Sequence, residues 1–213
     1  ATGGCYSGDL WHIRILDTKT THEEDAMSIF GSTTVATSMD FTGDTDVILN
    51  QAMLRLAAEP NAIFLGQNVQ YVGNVMFKHL DGIPVSQRLE LPVMEECQMG
   101  MSIGLALQGF LPISIYPRLD FLMLAMNQLV NHLDKLVLMS KGEFNPKVII
   151  RTKVGSTRPL NAGPQHTQDH FEALRLMLES VRVLKITAPS DIMWVYGEAI
   201  KSKGSTLIIE ALE

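Results

Sequence analysis

The stretch PVMEECQMGMSIGLALQGFLPISIY, residues 92–116, has the pattern of a helix followed directly by a strand. Residues 96–108 are predicted to form the helix, and Gly109 ends it, because glycine adopts the left-handed conformation of a helix C-terminus at little cost. Residues 111–116 are mostly apolar and are predicted to form a buried strand. A helix that passes through one glycine into an apolar strand is typical of folds in which helices and strands alternate.

The same alternation extends in both directions from this stretch. Further helices are predicted at residues 44–58, 121–139, 170–179 and 191–203, and further strands at residues 61–65, 88–93, 147–151, 181–186 and 206–210. Short connections between alternating strands and helices favour a parallel sheet with helices on both faces. The sequence therefore predicts an α/β fold, a three-layer sandwich with a mostly parallel central sheet.

Composition restricts the class of protein. The 213 residues are 46% hydrophobic and 19% charged, which is ordinary for a folded domain. The net charge of -6, without a Lys- or Arg-rich run, disfavours nucleic-acid binding, which needs a basic face. The two cysteines, Cys5 and Cys97, form neither a disulfide framework nor a metal-ligand cluster. No apolar stretch is long enough for a membrane span, the start lacks the signal-peptide pattern, and we expect a cytoplasmic protein.

Two regions are distinguished along the chain. Residues 1–40 are rich in Thr, Ser, Gly and Asp and are predicted to form an irregular N-terminal arm or leader. Residues 41–213 carry the regular alternation and are predicted to form one domain.

Glu95 lies where an extended segment passes into the predicted helix. An acidic residue there can simply favour the helix N-terminus, an effect of under about 1 kcal/mol. A functional role is favoured by the apolar neighbours Val93, Met94 and Met99, because burial would hold a carboxyl group partly protonated at neutral pH. Glu95 is therefore a candidate catalytic residue.

The helix after Glu95 carries Gly100 and Gly104 on one face. Small residues at this spacing allow another helix or a ligand to approach the backbone closely. Ordinary helix packing explains the same spacing, and the sequence alone does not choose between the two.

His166 lies in a polar loop, residues 152–169, that follows a predicted buried strand. Loops of this length inside a compact domain are uncommon unless they bind something, and parallel sheets bind ligands beyond the carboxyl ends of their strands. A lone loop histidine is most often a surface residue, and His170 is more simply a cap of the next helix. Phe121, at a strand-to-helix junction, fits either the core or stacking on a flat heterocycle.

Taken together, these segments resemble the beta subunit of the decarboxylating component of 2-oxo acid dehydrogenases, a thiamine-diphosphate-dependent family with a transketolase-like pyrimidine-binding domain. The resemblance covers residues 44–213. The most specific segments are LPVMEECQMGMSIGLALQGFLPI and GPQHTQD; the others are LNQAM with NAIFLGQNV, DFLMLAMNQLVNHLDKL, NPKVIIRTKVGS, and VRVLKITAPSD with STLIIEALE.

The resemblance implies roles for five residues. Glu95 matches the glutamate that contacts the aminopyrimidine ring of the cofactor and is implied to be catalytic, whereas its neighbour matches an unremarkable position. Phe121 matches the aromatic residue against that ring, and His166 matches the loop histidine that faces the substrate. Met94 and Gln67 are implied to contact the cofactor as well.

The sequence departs from the family at several positions. Gln67 and Asn68 replace an acidic pair after the glycine of the first strand, Ile115 replaces a common acidic residue, and Pro117 and Arg118 are atypical. These departures leave the substrate open. The resemblance reaches Glu213, where the pyrimidine-binding domain of the family ends. The family's C-terminal domain is not in this sequence, so participation in an acyltransferase complex is also open.

No dinucleotide fingerprint, phosphate loop, zinc motif or nucleophile elbow occurs in the sequence. The resemblance therefore implies a partner, an alpha-type chain that binds the diphosphate and most of the Mg²⁺, in a heterotetramer with a homodimer of this chain. The implied reaction is decarboxylation of a 2-oxo acid, or transfer of the resulting activated aldehyde. Two alternatives stay open: a split-subunit, transketolase-like ketol transferase, and a non-catalytic binding or regulatory protein.

Overall fold

The computed structural model describes residues 44–158 and 161–212. The predicted irregular arm of residues 1–40 lies outside the described residues. Within them, no helix combines the length and apolarity that a bilayer span requires.

Six parallel strands form one sheet within the described residues, in the order β2–β1–β3–β4–β6–β5. The strands are β1 (Ala62–Gly66), β2 (Arg88–Glu90), β3 (Leu111–Tyr116), β4 (Ile149–Lys153), β5 (Arg182–Ile186) and β6 (Thr206–Glu210). β3 and β6 are buried along their whole length, as expected for strands covered on both faces. β2 and β3 flank β1 on opposite sides, so the strand order reverses at β1, where parallel sheets open a crevice.

Helices cover both faces of the sheet. They are α1 (Thr45–Ala57), α2 (Glu95–Leu107), α3 (Leu119–Leu122), α4 (Asp134–Met139), α5 (Phe171–Met177) and α6 (Ile192–Lys201). On one face, α1 and α6 pack Met53 and Tyr196 into a core with β1 and β3. On the other, α2, the segment from α3 to α4, and α5 contribute Met99, Leu129 and Leu174 to a second core. The predicted three-layer α/β sandwich is confirmed.

The long helix predicted at residues 121–139 is helical but not regular. It begins earlier, as α3, passes through a 3₁₀ turn at Met123–Ala125 and a π-helical segment at Asn127–Leu133, and ends as α4. Apolar spacing identifies the buried side of such a segment, but it does not reveal where turns tighten or widen to keep that side on the sheet.

Other boundaries shift by a few residues. The strand predicted at residues 147–151 lies two residues later, as β4, and the predicted extended segment 88–93 is paired only over β2. His170 precedes α5, but its side chain makes no capping hydrogen bond. Asp169 takes that role instead, since its Oδ1 accepts the backbone N–H of Phe171 at 3.1 Å. His170 therefore occupies the N-cap position of α5, as expected, but its side chain does not form the capping hydrogen bond.

Candidate functional site

Glu95 is the first residue of α2, and buried hydrogen bonds fix the backbone around it. One turn later, the buried Gln98 side chain donates from Nε2 to the Ile115 carbonyl at 2.9 Å and to Ser114 Oγ at 3.1 Å. The Tyr116 hydroxyl donates to the carbonyl of Glu95 at 3.3 Å. The first turn of α2 is thereby held against the carboxyl end of β3.

The Glu95 side chain is half-buried and borders an open depression of about 770 Å³. Met94 and Leu124 also line it, and both are exposed, as is Val93. Of the apolar neighbours expected to bury Glu95, only Met99 is buried, and it faces the core. The expected burial of the carboxyl group is therefore not provided by the described residues, because the turn before α2 directs Val93 and Met94 outward.

The glycine-bearing face of α2 is open within the described part of the chain. Gly100 lines the depression, and a Cβ there would lie 3.8 Å from the Gln128 side chain. A Cβ at Gly104 would meet no described atom within 4 Å. Ser102, between them, is buried and donates to the Gln98 carbonyl at 2.8 Å. Ordinary packing among the described residues thus does not account for these glycines.

Phe121 and His166 are in contact. Their ring centroids lie 5.4 Å apart with an interplanar angle of 85°, an edge-to-face arrangement. Asp120 Oδ1 accepts the backbone N–H of Gln168 at 3.2 Å and its side-chain amide at 3.0 Å. Arg118 Nη1 donates to the carbonyl of His166 at 3.1 Å. The residues around α3 therefore hold the histidine loop beside Phe121.

Gly155 is a site residue that the sequence did not identify. A Cβ at this position would lie 1.7 Å from the carbonyl oxygen of His166 and 2.6 Å from Arg118 Nη1. Only a glycine leaves room for the histidine loop to pack against the backbone after β4. The glycine after a predicted strand was visible in the sequence, but its contact lies eleven residues away.

Gln67 directly follows β1 and is half-buried. The loop after it is held by Glu90, whose carboxylate accepts the backbone N–H groups of Asn68, Val69 and Gln70 at 2.7 to 2.8 Å. Sequence reasoning missed Glu90, because the loop that it holds is separated from it by about twenty residues along the chain. This anchoring explains how a loop without regular structure keeps a defined position beside β1.

The predicted site residues all lie beyond the carboxyl ends of strands at one edge of the sheet. The structure brings Phe121 and His166 into contact, and it places Met94 and Glu95 together at the depression. Gln67 follows the end of β1 and does not line that depression. Within residues 44–158 and 161–212, no group of three or more His, Cys, Asp or Glu side chains could hold a metal ion.

This architecture defines the class as the transketolase-like fold. The structure is similar to that of a split-gene transketolase, solved as an inactive beta4 tetramer, with a TM-score of 0.61 and 15% sequence identity. The match covers 78% of this chain and 51% of that chain.

Sequence comparison gives the more particular relationship. The chain is 26% identical over 184 residues to the chloroplastic pyruvate dehydrogenase E1 component subunit beta-3 of Oryza sativa subsp. japonica, covering 82% of this chain and 46% of the relative. It is 26% identical over 167 residues to the 3-methyl-2-oxobutanoate dehydrogenase subunit beta of Mycobacterium tuberculosis, covering 76% and 47%. No family model matches the sequence.

The chain is therefore a homologue of the beta subunits of 2-oxo acid dehydrogenases, and the resemblance seen in its motifs is confirmed. It spans about half the length of the curated relatives that it matches.

Proposed function

We propose that this chain is the pyrimidine-binding subunit of a split thiamine-diphosphate enzyme, in which a second polypeptide completes the active site. The observation that carries the proposal is the position of Glu95. Glu95 is a half-buried residue at an anchored helix start and borders an open depression with exposed apolar side chains. A partner surface laid over this depression would bury the carboxyl group and the apolar residues together.

The residues present fit the pyrimidine end of thiamine diphosphate. A flat heterocycle needs apolar and aromatic contacts and a small number of placed polar groups. At the depression, Met94 offers an apolar contact and Glu95 a polar group, and the half-buried Phe121 offers an aromatic ring. Gln67 would contact the cofactor from the end of β1. The diphosphate and most of the Mg²⁺ are assigned to the partner chain.

The protein residues have distinct roles in this proposal. When bound, the cofactor supplies the carbanion that reacts with the carbonyl group of the substrate. Glu95 holds a proton at a nitrogen of the pyrimidine ring, which requires a carboxyl group rather than an amide. His166 faces the substrate from its loop, and the contact with Phe121 orients the imidazole.

The proposed reaction is decarboxylation of a 2-oxo acid, with or without transfer of the activated aldehyde. The similarity to pyruvate and 3-methyl-2-oxobutanoate dehydrogenase beta subunits favours this chemistry. The resemblance in fold to a split-gene transketolase keeps ketol transfer as a second candidate. We further propose a homodimer of this chain within a heterotetramer that contains the alpha-type partner, in the cytoplasm.

The proposal is tested by cofactor binding with and without the partner. The full chain is titrated with thiamine diphosphate and Mg²⁺ by calorimetry, alone and together with a diphosphate-binding subunit from the same organism. We expect weak binding to the chain alone and tight binding to the pair, with turnover of at least one member of a panel of 2-oxo acids and ketose phosphates. Tight binding to the chain alone, or no binding to the pair, would contradict the proposal.

A further inference from the structure

A second cavity, of about 360 Å³, lies beyond the carboxyl ends of β3 and β4. Three cationic side chains line it, those of Arg118, Lys153 and Arg158. Asn74 and Ser156 add polar groups to the same wall. The volume lies in the range of small-molecule sites, and the lining gives it a strongly positive character.

The three cations of this cavity form no ion pair with the described residues, although Glu210 and Asp46 lie near enough to Lys153 to act on its pKa. None of the three cations has an acidic partner within ion-pair distance in the described part of the chain. Burial lowers the pKa of Lys153; the nearby Glu210 opposes this shift, and the charges of Arg118 and Arg151 add to it. An anion in the cavity would offset the repulsion among these cations.

The cavity adjoins the loop that carries His166. Arg118 lines the cavity and also donates a hydrogen bond to the carbonyl of His166. Lys153 is the last residue of β4, and Gly155 and Ser156 follow it under the same loop. A small molecule held by the cations would therefore extend along the edge of the sheet toward His166.

We propose that this cavity binds an oxyanion at the distal end of the substrate, either a phosphate or a second carboxylate. Guanidinium groups bind such oxyanions through parallel hydrogen bonds, and an ammonium group adds a point charge. Three cations match a phosphate dianion better than they match the single carboxylate of a simple 2-oxo acid. Binding of the oxyanion does not depend on the proposed function, whereas its place in the substrate rests on it.

The binding itself is tested on the full chain without cofactor. Inorganic phosphate and succinate are titrated by calorimetry into the wild type, Lys153→Gln and Arg158→Gln. Lys203→Gln is the matched control, because it removes one charge from an exposed position outside the cavity. We expect Lys153→Gln and Arg158→Gln each to weaken binding of the preferred oxyanion about tenfold or more, and Lys203→Gln to leave it unchanged.

The choice of anion and variants makes each outcome decisive. Tighter binding of phosphate or of succinate identifies the oxyanion. Binding that is equal in all four proteins, or undetectable at millimolar concentration, would show an ordinary solvated basic surface and overturn the proposal. Arg118 is left unchanged because its substitution would also release His166, and thermal unfolding of each variant checks that the fold is retained.

A second arm separates this proposal from the proposed function. In the two-chain enzyme, kcat/KM is compared for a substrate with a distal phosphate and for its unphosphorylated counterpart. Lys153→Gln should lower the ratio of the two values about tenfold, and Lys203→Gln should not change it. An unchanged ratio in an active enzyme would overturn the substrate assignment alone. If the chain binds the oxyanion but shows no thiamine-diphosphate activity with its partner, the proposed function is overturned and the assignment of the cavity as an oxyanion site stands.

Discussion

Gly155 determines where His166 lies, because the carbonyl oxygen of His166 occupies the space that a side chain at position 155 would fill. Other positions of the site depend on similar backbone approaches. A Cβ at Gly66 would lie 2.4 Å from the carbonyl of Ile115, so the end of β1 also lies close against β3. The candidate functional side chains are thus placed by glycines and by backbone hydrogen bonds that carry no chemistry themselves.

Gly155→Ala is expected to displace the His166 loop, since two heavy atoms 1.7 Å apart cannot coexist and the nearest partner is backbone. We predict a loss of about ten- to a hundredfold in kcat/KM of the two-chain enzyme, the range expected for a misplaced functional group. Gly204→Ala is the control, because its Cβ would make only an ordinary contact, 3.4 Å from Asn145 Oδ1. The activity is measured by steady-state kinetics. Normal activity in Gly155→Ala would show that catalysis does not require this position of His166.

The sequence predicted the candidate side chains of the site but not the contacts that hold them. Glu95, Phe121 and His166 were recognisable from residue type, order and spacing. Glu90 and Gly155 were not, because each acts on a segment that is distant along the chain. Local sequence patterns do not reveal such long-range contacts, because these contacts form only when the chain is folded.

At the scale of elements, α2 has two different sides. Its inner side packs Met99 and Gln98 against β3, whereas its outer side presents Gly100 and Gly104. The outer side carries no close packing among the described residues, which is expected of a helix that a second subunit approaches.

The predicted helices and strands were correct in type and order, and errors occurred at their ends and inside the segment from α3 to α4, where packing determines the turns.

Gly104→Ala separates the two roles of this helix. Alanine favours the helical conformation over glycine by about 1 kcal/mol, and nothing described lies within 4 Å of the new methyl group. We therefore predict a higher free energy of unfolding for the dilute chain, measured by urea denaturation. Sedimentation of the two-chain enzyme should show weaker association, because the methyl group blocks close approach. Unchanged association would show that this face lies outside the subunit interface.

At the scale of the whole molecule, a polar network connects α1, near the start of the described chain, with β6, near its end. The Arg151 guanidinium donates from Nε to Glu210 Oε1 at 2.7 Å and from Nη2 to His79 Nδ1 at 2.7 Å. The Tyr196 hydroxyl donates to Glu210 Oε1 at 2.6 Å, and His79 Nε2 lies 2.9 Å from Asp46 Oδ1. With Nδ1 accepting from Arg151, a neutral His79 donates its Nε2 proton to Asp46.

This network predicts a pH dependence of stability. Burial, and then the charge of Arg151, lower the pKa of His79 in the folded chain. The unfolded chain therefore binds the proton first, and stability is fully present above the ordinary histidine pKa of about 6.5 and declines as the pH falls below it. The hydrogen bond from His79 lowers the pKa of Asp46. Burial acts to raise the pKa of Glu210, but the charge of Arg151 outweighs it and the pKa is lowered. The contribution of both carboxylates to stability is therefore lost at lower pH, where they become protonated.

His79→Gln keeps a donor and an acceptor but does not titrate. We predict that urea midpoints of the wild type fall between pH 7 and pH 5 and that those of His79→Gln fall less over this interval. The further loss in the range where carboxylates titrate should remain in both proteins. His132→Gln, which changes an exposed histidine, is the control. Equal slopes in wild type and His79→Gln would contradict the assignment of this transition to His79.

Glu95 is proposed to supply the carboxyl group of a thiamine-diphosphate site, and a comparison with its neighbour Glu96 tests this role most directly. Glu96 is exposed, accepts a hydrogen bond from Asn127 at 3.3 Å and lies in the same helical turn as Glu95. Glu95→Gln and Glu96→Gln each replace one carboxyl group of this turn with an amide, so each variant is the control for the other. In the two-chain enzyme, turnover should fall at least about a hundredfold in Glu95→Gln and remain near normal in Glu96→Gln, with both folds retained. Normal turnover in Glu95→Gln would contradict the claim.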